Sequence, residues 1–220
     1  MALASFAALF FIAAPYGRHA RSGWGPLLEA RWGWLIMEAA SPLALCLAYF
    51  SGLDGFDPVT LLFILLWVGH YVNRAFLYPL RIRGGAHPLP LTLVGLSLFF
   101  NSVNGYINGR YLNLFGWRYT GAWLADPRFL FGAALFLAGM LINLRSDAVL
   151  RKLRGADEAG YGIPRGGLFE LVSCANYFGE IVEWLGWALL TWSLAGLTFA
   201  LWTAANLVPS ARAHHKWYRQ

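Results

Sequence analysis

Glu38 lies in the apolar run Trp34-Leu35-Ile36-Met37-Glu38, and no basic residue stands close to it in sequence. An ionised group at mid-bilayer costs roughly 2.5–3.5 kcal/mol even on a lenient insertion scale. Such a carboxyl either pairs with an arginine of another helix or stays protonated with a raised pKa, able to donate or share a proton. A second apolar run carries His70-Tyr71-Val72-Asn73-Arg74 and then Tyr78, with Tyr71, Arg74 and Tyr78 at helical i, i+3, i+7 spacing. A third carries Asn101, Asn104 and Asn108 at the same spacing. A single asparagine serves as helix–helix glue, whereas three on one face read as the wall of a polar cavity. Glu38, Tyr71, Arg74 and the row with Asn104 are therefore candidates for a polar site within the helices.

A different chemistry gathers further along. Asn143, Asp147, Arg151 and Arg154 fall near one face of a helix. As a solvated face they would be worth a few tenths of a kcal/mol of Asp–Arg pairing. As a site they suit a phosphorylated, hydroxyl-rich cofactor, because the planar guanidinium fork matches phosphate and Asp or Asn matches ribose. Tyr161-Gly-Ile-Pro-Arg-Gly-Gly-Leu-Phe-Glu170 is a Gly/Pro turn entering a helix. Glycine lets backbone approach a ligand closely, and a helix N-terminus favours anions. Asn176, Glu180, Glu183 and Trp187 then share a face, and the tail His214-His215-Lys216-Trp217-Tyr218 offers phosphate and adenine partners. No Cys/His spacing suggests a metal. Cys46 and Cys174, both in apolar runs, read as small buried hydrophobes.

The elements that must position these groups are membrane helices. The 220 residues are 58% hydrophobic and 13% charged, about half the charged fraction of a soluble domain. Eleven Trp, ten Tyr and sixteen Phe suit interfacial belts. About 20 helical residues cross a bilayer, and seven runs qualify: about 1–15, 32–50, 58–80, 88–108, 128–150, 168–190 and 194–208, the last two divided near Gly196. The opening run, without a basic segment before it and with further spans after it, reads as a helix and not a cleaved leader. Asp57-Pro58 opens the third run. Thirteen Lys/Arg fall on one side of this arrangement (Arg18, Arg21, Arg31, Arg81, Arg83, Arg145, Arg151, Lys152, Arg154, Arg165, Arg212, Lys216, Arg219) against Arg110, Arg118 and Arg128 on the other. The bias places the C-terminus in the cytoplasm and the N-terminus outside. The net charge of +6 is spread between apolar runs and forms no nucleic-acid face. No internal repeat suggests a transporter. The expectation is one all-α integral membrane domain over 1–220, with substrate-pocket helices mainly in 1–110 and cofactor binding in 128–220.

These motifs together resemble a known family. Gly139-Met-Leu-Ile-Asn143, Ser146-Asp147, Leu150-Arg-Lys-Leu-Arg154, Tyr161-Gly-Ile-Pro-Arg-Gly-Gly-Leu-Phe-Glu170, Asn176-Tyr-Phe-Gly-Glu180-Ile-Val-Glu183-Trp184 and the His-His-x-Trp-Tyr tail are similar, in this order, to the steroid 5α-reductase signature. Pro15-Tyr-Gly-Arg-His19, Glu38 and His70-Tyr71 through Tyr78 extend the match forward. The resemblance implies a seven-helix membrane enzyme that reduces the 4,5 double bond of 3-oxo-Δ4 steroids with NADPH entering from the cytosol. It implies that Glu38 and Tyr71 hydrogen-bond the 3-keto oxygen while hydride reaches C5, and that Trp34 lines the substrate pocket. It assigns Asn143, Asp147, Arg154, Tyr161, Asn176, Glu180, His214 and Tyr218 to the cofactor. One departure falls in the tail, where Ser210 holds a position usually taken by arginine and Arg212 stands two residues on. The expected partners are a lipophilic enone and membrane lipid, with no nucleic acid, for a monomer. A bacterial homologue would sit in the inner membrane, a eukaryotic one in the endoplasmic reticulum. A membrane methyltransferase of the isoprenylcysteine type, using S-adenosylmethionine, is the competing reading; a transporter or heme-binding subunit is the third.

Overall fold

A computed structural model describes residues 23–52, 57–81, 88–153 and 162–220. The expected helix at 1–15 and the candidate residues Arg154 and Tyr161 lie outside these ranges. The described residues up to Asp126 form one compact unit, and Pro127–Gln220 form a second.

The first unit is built on α1 (Ala30–Phe50), α2 (Pro58–Leu80) and α3 (Leu91–Phe115). Asp57 starts α2: its carboxylate accepts from the Val59 N–H at 2.6 Å, and Pro58 takes the first turn, where no donor is needed. Within α2, Val72–Leu77 winds as a π-helix. Pro79 has no N–H, and its ring crowds the carbonyl four residues back, a strain that a widened turn relieves. A short antiparallel ladder pairs Leu27 with Pro90 and Leu28 with Leu89. Beside it the Leu91 N–H donates to the Pro26 carbonyl, and the Thr92 hydroxyl donates to that of Trp24. The segments leading into α1 and α3 are thus tied together, and the two helices set out in the same direction.

They stay together at a constant offset of 64 residues. Asn101 Nδ2 donates to the Met37 carbonyl at 2.7 Å, and Asn113 Nδ2 to the Tyr49 carbonyl at 3.0 Å. Between these bonds, a Cβ on Gly105 would lie 2.2 Å from the Ser41 carbonyl, and one on Gly109 2.3 Å from that of Leu45. Only glycine permits this parallel contact. Helix α2 returns antiparallel to α1. Tyr49 and Thr60 share a hydroxyl–hydroxyl bond of 2.6 Å near the connection, and Trp34 meets Arg74 and Tyr78 at the far end. Tyr119, beyond α3, packs edge-on against Phe63. Burial, with the Tyr111 phenol beside it, holds its own phenol well above the usual tyrosine range.

The second unit comprises α4 (Pro127–Leu153), α5 (Ala175–Thr191) and α6 (Leu194–Tyr218). Helices α4 and α5 are antiparallel and meet backbone to backbone. A Cβ on Gly132 would sit 2.3 Å from the Leu190 nitrogen, on Gly139 2.3 Å from that of Glu183, on Gly179 2.6 Å from that of Asn143, and on Gly186 2.3 Å from that of Phe136. The glycines recur at seven-residue spacing on both helices, which keeps them on one seam.

The last expected spans are displaced. The run from 168 is not yet α5: Gly166 and Gly167, at φ of +90° and +58°, turn the chain into a 3₁₀ segment, Gly167–Glu170, before the helix starts at Ala175. The turn between α5 and α6 falls at Trp192-Ser193, not near Gly196. Trp192 takes the left-handed conformation, and Ser193 caps α6 by accepting from the Gly196 N–H at 2.9 Å. Gly196 is instead a packing residue, 3.0 Å from the Ala188 Cα for any added Cβ. Helix α6 also passes through Pro209 to Tyr218, well beyond the expected end at 208. Cys46 is only partly buried, unlike Cys174.

Four described helices are long and apolar enough to cross a membrane: Ala30–Phe50, Pro58–Leu80, Pro127–Leu153 and Leu194–Tyr218. Leu91–Phe115 carries four asparagines, and Ala175–Thr191 has only 17 residues.

The glycine contacts make a direct prediction. Gly139→Ala and Gly186→Ala each force backbone apart and should cost about 1–3 kcal/mol or more. Gly95→Ala, a helical position with open space around it, should gain up to about 1 kcal/mol. Thermal unfolding of the three variants in one detergent checks both signs.

Candidate functional site

In the first unit, the candidate residues are set by the α1–α2 register. Glu38 lies eleven positions before Tyr49, and Tyr71 eleven after Thr60. Eleven residues make about three helical turns. Each residue therefore stays on the face that carries the Tyr49–Thr60 bond, shifted by the same distance along antiparallel axes. Glu38 and Tyr71 come to one level on facing helices. Tyr71 is 2% exposed, its ring tilted against Trp67 at 5.6 Å and edge-on to His70 at 4.9 Å. Glu38 is half-buried.

One turn before Glu38, Trp34 meets the Tyr78 ring edge-on at 5.5 Å. The Arg74 guanidinium lies 5.2 Å from the Trp34 ring centre and 5.3 Å from that of Tyr78. Arg74 and Tyr78, four residues apart on the segment that holds the π-turn, both meet Trp34. The guanidinium lies over both ring faces, which orients it. Behind Trp34, Met37, Leu89 and Val94 form an apolar cluster with Leu28.

On α3, Asn101, Asn104 and Asn108 are all buried. Asn101 binds the α1 backbone, so it is helix glue. Asn108 Nδ2 donates to both the carbonyl and the Oδ1 of Asn104, at 3.1 Å each. The row is thus partly glue and partly an internal chain.

In the second unit, two antiparallel turns bring three helix ends together. The C-terminal end of α4, the N-terminal end of α5 and the C-terminal end of α6 lie at one level. Asn143 is buried and donates through Nδ2 to the Asn176 carbonyl at 3.0 Å. Asp147 is buried one turn on, and Arg151 half-buried one turn further. Glu180 is half-buried on α5. His214 on α6 faces the rings of Tyr177 at 6.1 Å and Tyr218 at 6.3 Å. Ser173 Oγ pairs with His215 Nδ1 at 2.7 Å. The turn before α5 is held by the Gly166 N–H donating to the Glu170 carboxylate at 2.7 Å.

The structure therefore joins Asn143, Asn176, His214 and Tyr218 in one linked group, with Asp147 and Arg151 continuing along α4. It adds Tyr177 and Ser173, which sequence spacing had passed over. Tyr177 adjoins Asn176, and the aromatic triad it completes needs the α5–α6 pairing to be seen. Ser210 donates to the Asn206 carbonyl on the line of His214, and Arg212 lies about 200° round the same helix.

The donor set fits a dinucleotide phosphate: amide and carboxylate groups for a carboxamide and ribose hydroxyls, histidine and tyrosine rings for a base, arginine for phosphate. Among the described residues, no group of three His, Cys, Asp or Glu could hold a metal.

Comparison with known proteins gives the family. The sequence model described as 3-oxo-5-alpha-steroid 4-dehydrogenase matches residues 87–220. The chain is 46% identical to the 3-oxo-5-alpha-steroid 4-dehydrogenase 1 of Bos taurus, over 96% of this chain and 83% of the relative. It is 44% identical to the steroid 5-alpha-reductase of Arabidopsis thaliana, over 96% and 82%. It is 44% identical to the Mus musculus 3-oxo-5-alpha-steroid 4-dehydrogenase 1, over 99% and 86%.

Removing the indole of Trp34 tests the local geometry. Trp34→Leu should lose about 1–2 kcal/mol of cation–π and packing energy. Most of that loss should vanish in an Arg74→Met background, a coupling read from the thermal stabilities of the four-membered cycle.

Proposed function

The chain belongs to the 3-oxo-5-alpha-steroid 4-dehydrogenase family of oxidoreductases, and we propose that it reduces the 4,5 double bond of 3-oxo-Δ4 steroids with NADPH. The observation that carries this reading is the level pairing of Glu38 with Tyr71 on facing helices. An enone accepts a nucleophile at its β-carbon only when negative charge developing on the ketone oxygen is stabilised. The Tyr71 hydroxyl and a protonated Glu38 carboxyl supply two donors to that oxygen, in surroundings where low dielectric strengthens both. Trp34 forms an apolar wall beside them, fixed by Arg74 and Tyr78, and Asn104 adds a polar contact behind. NADPH would supply the hydride that C5 receives, and the enolate so formed takes a proton at C4 to complete the reduction. Asn143, Asp147, Asn176, Glu180, His214 and Tyr218 grip its nicotinamide and ribose groups, and Arg151, with Arg154 and Tyr161, extends the grip to the phosphates.

Seven membrane crossings suit this work, with the N-terminus outside and the C-terminus cytoplasmic. The parallel α1 and α3 and the antiparallel α1–α2, α4–α5 and α5–α6 pairs are the directions that successive crossings require. The basic residues bias the tail inward, where a water-soluble nucleotide is available. The reading is of a multi-pass monomer that takes its substrate from lipid. A methyltransferase has no use for a Glu/Tyr pair facing across two helices, and the named relatives are reductases and dehydrogenases.

Purified protein should oxidise NADPH with progesterone or testosterone and give the 5α product. Glu38→Gln and Tyr71→Phe should each lower turnover by about 10²–10³, the usual effect of losing one oxyanion donor. Unchanged turnover in both variants would reject the assignment. NADPH, and not S-adenosylmethionine, should raise the melting temperature, and Asp147→Ala or His214→Ala should shrink that rise.

A further inference from the structure

Among the described residues of the first unit, the Ser41 hydroxyl, at 0% exposure, and Asn104 Nδ2, at 7%, are buried with no hydrogen-bond partner. The orientation of the Asn104 amide is fixed by its neighbour. Asn108 Nδ2 donates to the Asn104 backbone carbonyl, so the group facing Asn104 is an amino group and the Asn104 atom that meets it is oxygen. The Asn104 amino group must therefore point away, toward something else. Its level follows from the parallel register. The Ser41 backbone carbonyl lies against Gly105, the residue next to Asn104, and Asn101 binds the carbonyl of Met37 one turn earlier on both helices. In each helix the side chains lean toward the N-terminus. The register thus sets Ser41 and Asn104 one residue apart in level along the α1–α3 seam, and both are buried there. One offers a donor and the other a hydroxyl able to accept. Leaving both unmatched costs about 1–3 kcal/mol per group. A single water, with two to four polar partners, removes that cost.

We propose that Ser41 and Asn104 hold one buried water that is a fixed part of the ketone site. Ser41 stands three residues after Glu38, on the adjoining helical surface. The water bonds the Glu38 carboxyl from the side away from Tyr71 and keeps its proton aimed at the substrate. Ser41 and Asn104 are positioning residues acting through it. Their role rests on the reading of Glu38 given above; the water site itself does not.

A double-mutant cycle separates the two statements. Ser41→Ala, Asn104→Leu and the double variant are melted in the same detergent. Each single change leaves the other group buried and unmatched, whereas the double change removes both. The double variant should therefore lose clearly less stability than the sum of the singles. Additive losses would overturn the water site. Asn104→Ala replaces Asn104→Leu in the cycle if the latter does not fold. In NADPH oxidation with progesterone, Ser41→Ala should lower kcat about tenfold, as for loss of an outer partner of a catalytic group, with steroid KM within about twofold. An unchanged kcat, or a loss confined to KM, would overturn the positioning role alone. A wild-type protein that folds, shows the stability coupling and does not oxidise NADPH with any enone would overturn the proposed function and that role together, and leave the water site standing.

Discussion

Everything in this protein hangs on how closely two helix backbones approach. In lipid, burying an apolar side chain against another helix gains little over leaving it in contact with hydrocarbon. Helix pairs are then held by dispersion between tightly fitted surfaces and by the few polar bonds that cross them. Here the fit is made by removing side chains. Gly132, Gly139, Gly179 and Gly186 leave no room for even a methyl group between α4 and α5, and Gly105 and Gly109 do the same between α1 and α3. The polar bonds follow from the closeness. Asn143 reaches the Asn176 carbonyl because Gly179 lies against its own backbone, and Asn101 reaches Met37 one turn from Gly105.

The same contacts assign different work to the two units. The first sets a carboxyl and a phenol at one level within apolar surroundings. The second gathers the polar ends of three helices, where amides, carboxylates and rings converge. One suits a molecule that dissolves in lipid, the other a molecule that dissolves in water. Costly buried groups occur in both, and in each unit some are tied across helices to backbone carbonyls, Asn101 to Met37 in one and Asn143 to Asn176 in the other.

Much of this was legible in the sequence, since charges and asparagines are conspicuous inside apolar runs. Helix positions over 30–50 and 58–80 follow from hydropathy and from Asp57-Pro58. Other features were out of reach for physical reasons. The π-turn depends on how Pro79 settles against the preceding turn, and spacing alone treats Tyr71, Arg74 and Tyr78 as one α-helical face. The break before α5 lies in a stretch as apolar as the helix it precedes, so composition does not mark it. The α5–α6 turn is made by Trp192 in a left-handed conformation, a role usually read from glycine. The glycine at 196 was the natural guess, but it is used for close packing. Tyr177 and Ser173 join the second group only through pairing between helices, which no local pattern encodes.

The constant offset of 64 residues between α1 and α3 also bears on how the chain is assembled. Helices α4, α5 and α6 pair with neighbours in sequence, so each contact closes a short loop and can form as the chain emerges. Helix α1 must wait for α2 and the whole of α3 before its glycine contacts exist, and a longer loop costs more entropy to close. During synthesis Glu38 is therefore carried on a helix whose main partner has not yet arrived. The first unit therefore completes its packing only once α3 has emerged.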